Sequence, residues 1–285
     1  MSAKEYKLST LKTLANIFIY FILFLIGDLF GSLIFDFIFL FIKFPIKEMY
    51  IIPRMIGSLF LTIFLFWFYT TKILHLDSSY FRINLNIKKY GTLISILLPI
   101  FVLCIFIIIG KFEFNTFSIS KILLIIIYSM LIALKSGITE EILFRGYIMK
   151  LLEDRWNKYI AILVPSFIFS LVHIPSMEKF NIISIILLIV SGTLVGTMFS
   201  LITYKWNSIS NSALLHTLWN FFIITDIAHI TTAQNAYGNP LFSVTIPSNN
   251  ILLTGGGFGV EASLIAIIGY TITCTFIIIS EKKNI

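Results

Sequence analysis

Apolar residues recur in eight long runs, separated by short segments where Lys, Asp, Asn, Gly and Pro collect. The runs lie at about 13–42, 50–72, 92–110, 118–152, 158–175, 181–203, 209–227 and 262–280. Each approaches the ~20 residues that an α-helix needs to cross the ~30 Å hydrocarbon layer of a bilayer. The pattern predicts an all-α, polytopic membrane helical bundle of about eight transmembrane helices, forming one integral membrane domain over residues 1–285. No segment repeats another in the way that marks many transporters. The first run is too long for a signal-peptide core and no small-residue cleavage site follows it, so it is expected to remain as a membrane anchor.

Composition sharpens this picture. Hydrophobic residues make up 58% of the 285 residues and charged ones 12%, and the mean hydropathy is +0.97. A soluble domain of this length needs far more surface charge. The net charge of +7 is not that of a nucleic-acid binder, because the lysines sit in the short connections between apolar runs, as the positive-inside rule requires. Lys4, Lys7, Lys12, Lys72, Arg82, Lys88, Lys89, Lys150, Arg155, Lys158, Lys205, Lys282 and Lys283 fall on one side. Lys43, Lys47, Arg54, Lys111, Lys121 and Lys179 fall on the other, while Lys135 and Arg145 lie within a run. Both termini are therefore expected to be cytoplasmic, in a multi-pass protein of the cell membrane. The segment from about Asp226 to Val260 has no Lys or Arg; it belongs on the outer side and reads as a surface loop rather than a lid. Cys104 and Cys274 both fall inside runs and read as small apolar residues, with no disulfide framework or zinc-knuckle spacing.

Against this apolar background the polar residues stand out. An ionised side chain at membrane depth costs about 2.5–3.5 kcal/mol on insertion scales. The fourth run nevertheless carries Glu140-Glu141-x-x-x-Arg145. Glu141 and Arg145 are four apart on one helix face and can pair, each offsetting the other's cost. Glu140 points about 100° away and has no partner three or four residues distant. Ser136 and Gly137 lie one turn earlier and leave room for water or backbone. Lys135 is badly placed to pair with Glu140. Asp28 and Asp36 of the first run read as bundle-facing hydrogen-bonding groups or as residues near a helix end.

Two further polar stripes follow. The fifth run has Ser166, Ser170 and His173, with Phe169 one turn before the histidine, and the seventh has Ser212, His216 and Asn220. His229 has no companions nearby in sequence and reads as interfacial. If the fourth and fifth helices turn back at Glu153-Asp154-Arg155-Trp156-Asn157, Glu140 and His173 both stand roughly 20–25 Å above that turn. His216 lies fewer residues beyond its own turn, so the seventh helix must tilt or start deeper.

Two histidines, an asparagine and a free carboxylate suit hydrolysis. A desolvated Glu140 has a raised proton affinity and can activate water. His173 can hold that water or pass a proton, and His216 with Asn220 can donate to a developing oxyanion. The competing scheme makes Glu140, His173 and His216 zinc ligands around a metal-bound water. No His-Glu-x-x-His helix supports it, and no Gly-x-Ser-x-Gly elbow offers a serine nucleophile. The expected cofactor is therefore none, with zinc as the alternative.

The ordered set Glu-Glu-x-x-x-Arg, Phe-x-x-x-His and His-x-x-x-Asn, within residues 118–227, resembles the CPBP family of intramembrane proteases. That family includes CAAX endopeptidases and the bacterial Abi proteins of bacteriocin processing and immunity. The likeness is strongest over about 120–225 and extends to the Phe258-Gly-Val-Glu261 segment. It implies that Glu140 and His173 activate water, that His216 and Asn220 form the oxyanion site, and that Glu141, Arg145 and Phe169 support them. It also implies a peptide or lipid-anchored protein as substrate and a glutamate-dependent mechanism in a family once classed as metallopeptidases. The Ile, Lys and Asn usage favours a bacterial peptide precursor over a prenylated tail. The alternative function is a non-proteolytic self-immunity or scaffold protein, in which these residues are dispensable. A proton-coupled transporter ranks third.

Overall fold

A computed structural model describes residues 8–232 and 238–282. Lys4, Lys7 and Lys283 of the orientation count, and residues 233–237 of the outer segment, lie outside the described residues. Eight helices occupy the eight apolar runs: α1 Thr10–Ile38, α2 Ile51–Phe68, α3 Lys89–Ile109, α4 Ile119–Arg155, α5 Lys158–Val172, α6 Ile182–Trp206, α7 Ser210–Trp219 and α8 Leu264–Lys282. Side-chain caps start several of them where the sequence turns polar: Ser9, Ser118, Asn157 and Asn181 each accept from a backbone N–H in the first turn.

The first six helices are long and apolar enough to cross a membrane, and α8 contributes a shorter apolar stretch, Leu264–Ser280. With these helices the chain is a multi-pass integral membrane protein. The seventh differs. α7 carries Asn211, Ser212, His216 and Thr217, all buried, and packs against α3, α4 and α6. Surrounded by protein, it has no lipid-facing surface that must be apolar. Its depth also answers the question left by the sequence. Ser208 and Ile209 are already buried, beneath residues 82–88: Ile209 N donates to the Arg82 carbonyl at 3.0 Å and Lys88 N to Asn211 Oδ1 at 2.8 Å. The helix thus begins inside the protein rather than at its surface.

Contacts at the two ends of the bundle sort the connections. At one end Arg155 Nε donates to Thr10 Oγ1 at 2.9 Å, Arg82 pairs with Glu153 at 2.7 Å, and Lys205 hydrogen-bonds Ser280. The start of α1 and the end of α8 thus share the lysine-rich side. At the other end Asn115 Nδ2 donates to the Pro240 carbonyl at 2.8 Å and Asn239 Nδ2 to Glu48 Oε1 at 3.0 Å.

A small sheet at that second end departs from an all-helical reading. β1 Lys111–Phe114 runs antiparallel to β3 Phe242–Thr245, which runs parallel to β2 Ala228–Thr231. The outer segment expected to be a surface loop is therefore folded, and its later part, through Phe258, packs down onto α6. Asp28 and Asp36 face the bundle as expected: Asp28 pairs with Lys135 of α4 at 2.5 Å, and Arg54 Nε donates to Asp36 at 2.5 Å. Cys274 is buried, whereas Cys104 is exposed on the outside of α3.

Candidate active site

α4 supplies one wall of a cavity of about 430 Å³, through Ile132, Ser136 and Glu140 at successive fourth residues. Glu141, one position further round, is fully buried, as is Arg145. Arg145 Nη1 donates to Glu141 Oε1 at 2.7 Å, and Nη2 donates to the Gly196 carbonyl at 3.2 Å. The guanidinium also lies over the rings of Phe169 and Phe199, 4.7 and 5.0 Å from their centroids. A charge this deep is tolerable only when paired and surrounded by donors, acceptors and π-faces. Immediately after Glu141 the helix widens into a π-turn over Ile142–Ile148, a distortion common at functional sites.

α7 forms the facing wall, and one glycine sets its approach. A Cβ at Gly137 would strike the Thr217 side chain and come within 2.7 Å of the Thr217 backbone nitrogen. Glycine is required for this contact; it fills the space expected for water. The approach brings His216 against both glutamates. Its Nδ1 lies 3.2 Å from Glu141 Oε1 and its Nε2 3.9 Å from Glu140 Oε2, while its ring stacks on Phe199 at 5.0 Å. Glu141, ionised by its pairing with Arg145, can only accept, so His216 Nδ1 carries a proton. Glu141 is thus more than a charge partner for arginine: it fixes the ring of His216. Glu140 Oε2 is buried and has no hydrogen-bond partner among the described residues.

Asn220 opens a second π-turn, Asn220–Ile224, and its Nδ2 donates to Ser136 Oγ at 2.7 Å. His173 caps α5. Its Nδ1 lies 2.7 Å from the Phe169 carbonyl, which only accepts, so the neutral ring presents an accepting Nε2. Phe169 packs on both histidines, with centroids 4.5 Å from His173 and 6.0 Å from His216. Glu140, His173, His216 and Asn220 thus line one cavity.

Trp219, Phe258 and Glu261 also line the cavity; the last two had appeared in the sequence only as the ends of the Phe258-Gly-Val-Glu261 stretch, with no role given. The Glu261 carboxylate accepts from Trp219 Nε1 at 3.0 Å. His229 departs from expectation: it is buried and lies 2.8 Å from Asp226 Oδ1.

A zinc site needs nitrogen and oxygen ligands converging at about 2.0–2.2 Å. Among the described residues no group of three His, Cys, Asp or Glu converges to hold a metal ion.

Fold and site together define a multi-pass helical membrane protein with a polar cavity enclosed by α4, α5, α6 and α7. Residues 120–222 match the family described as type II CAAX prenyl endopeptidase Rce1-like. That stretch contains all three motifs, so the part of the chain that carries the candidate site is similar to that family. No curated protein and no solved structure matches.

Proposed function

We propose that the chain is an intramembrane endopeptidase that hydrolyses a peptide bond in a membrane-associated protein or peptide precursor, using a water activated by Glu140. The observation that carries this reading is the buried, unpartnered Glu140 Oε2 in one cavity with His173, His216 and Asn220. Glu140 takes a proton from water as the oxygen attacks the scissile carbonyl. His173, through its accepting Nε2, orients that water and relays a proton to the leaving amine.

The oxyanion then needs donors. A neutral His216 with its proton on Nδ1 offers only a lone pair at Nε2, so it donates there as imidazolium, with Glu141 as counter-ion. Glu140 and Glu141 against Arg145 and protonated His216 leave the cluster without net charge. Asn220 supplies a second, neutral donor. No step passes through a metal, and activity surviving exhaustive chelation, with no zinc found by elemental analysis, is the expected outcome.

The test is mass spectrometry of products released from a membrane-peptide library by wild type and Glu140→Gln. The variant should lose about 10²–10⁴-fold in rate with thermal stability nearly unchanged. Unchanged processing sinks the proposal, and a self-immunity or scaffold role would then be marked by protection that survives replacement of Glu140, His173 and His216.

A further inference from the structure

The glycine-rich segment before α8 is fastened to the far wall of the cavity. Gly257 N donates to Ser184 Oγ at 2.9 Å, and the Gly257 carbonyl accepts from Glu178 N at 2.8 Å. A Cβ at Gly257 would run into the Lys179 carbonyl, so the fit requires glycine. This fastening sets Phe258 edge-on to His173, with centroids 6.1 Å apart, and turns Glu261 into the cavity. The indole of Trp219, held against Tyr270 at 5.1 Å, gives the Glu261 carboxylate one hydrogen bond. Tyr270 OH bonds the Glu261 backbone carbonyl at 3.3 Å.

Charge accounting singles Glu261 out. The catalytic cluster is self-balancing, as above. The described cavity lining contains Glu140, Glu178 and Glu261 but neither Lys nor Arg. Glu178 is exposed at the rim; Glu261 is inside, with a neutral indole as its donor. On the α6 side Leu188, Val195 and Phe199 contribute apolar walls, beside which a charge pairing is stronger than in water. Burial pushes the Glu261 carboxyl above the usual carboxylate range, the Trp219 hydrogen bond opposing it. An arriving cation shifts the balance toward the charged form.

We infer that Glu261 is a specificity-determining residue which seats a cationic group of the substrate, a Lys or Arg side chain or a free amino terminus, beside the scissile bond. The inference rests on the endopeptidase reading above. It narrows the substrate from any membrane-associated peptide to one with a positive charge close to the cut. A charge-assisted hydrogen bond in such a site corresponds to about ten- to a hundredfold in kcat/KM.

The experiment compares matched peptides, made from a sequence that wild type cleaves, carrying Lys or norleucine at each position flanking the cut, with and without N-terminal acetylation. Wild type should prefer Lys at one position about ten- to a hundredfold. A preference abolished by acetylation instead assigns the cation to the amino terminus. In Glu261→Gln, whose amide oxygen still accepts from Trp219, the Lys to norleucine ratio should fall toward one, with unchanged thermal stability. An unaltered ratio, or equal losses on both peptides, overturns the inference and leaves the endopeptidase reading standing. Failure of wild type to release product from any library member overturns both.

Discussion

The chain places a carboxylate against a cation inside its helices in two regions, with opposite results. In the α1–α2 hairpin, Asp28 meets Lys135 of α4 and Asp36 meets Arg54; the side chains of Asp28, Asp36 and Arg54 stay between 33% and 43% exposed. In α4, Glu141 and Arg145 are wholly buried, and each makes a second polar contact, to His216 and to the Gly196 carbonyl. The peripheral pairs tie helices together and stop there. The central pair is one edge of a network that ends on Glu140, a carboxylate with an oxygen still unpartnered. Burial turns an ion pair from a link into a fixed point, because in a low-dielectric interior a partner cannot be lost cheaply.

The comparison breaks most directly at Arg145. Arg145→Met leaves Glu141 charged and buried, and should cost about 3–5 kcal/mol, read as a large fall in thermal stability in detergent together with lost processing. A loss below about 1 kcal/mol would place Arg145 in the same class as the peripheral pairs.

Glu141→Gln is the next test. Its amide oxygen can still accept from His216 Nδ1 and from Arg145, but the counter-charge for a protonated His216 is gone. The expected result is kcat lowered by about 10²-fold or more in the folded fraction, the scale of losing one oxyanion donor, with KM little changed and with a stability loss, because Arg145 is left charged and buried. A stability loss with kcat intact would reduce Glu141 to a purely structural partner of Arg145.

Much of the central region was legible because its signals are local. Hydropathy marks the helices, and Glu141 with Arg145 sit four residues apart on one turn. What was not legible depends on contacts between distant parts of the chain. The bond from Glu141 to His216 requires α7 to close on Gly137, a property of Thr217 packing that no spacing in α4 records. Glu261 enters the cavity only because Gly257 is fastened to Ser184 and Glu178. The strands of the outer sheet are four residues each, too short for alternation to show. α7 reads as a span by its apolar residues, yet its polar face is satisfied by protein rather than by position in the bilayer.

The peripheral side of the comparison gives a smaller effect. Asp28→Asn with Lys135→Met removes both charges of a pair in which Asp28 is 43% and Lys135 14% exposed, and should shift stability by about 1 kcal/mol or less, with processing retained. A loss of activity greater than tenfold would show that the hairpin positions α4, and so Ser136 and Glu140, through Lys135.

The smallest effect belongs to the outer sheet, where a third carboxylate sits between these extremes. Burial disfavours ionisation of Asp226, yet hydrogen bonds from His229 and Tyr128 and the charge of His229 hold its carboxyl below the ordinary aspartate value of 3.8. Such a depressed group adds stability that is complete above the unfolded value and is lost as pH falls through the folded one. The anchoring of β2 and Asn239 should therefore persist at neutral pH and weaken only in strong acid, below about pH 4. Limited proteolysis within 226–260 reads this directly. Asp226→Asn should show at neutral pH the cleavage that wild type shows only in acid, and equal protection of the two proteins at all pH values would remove Asp226 from the anchoring of this segment.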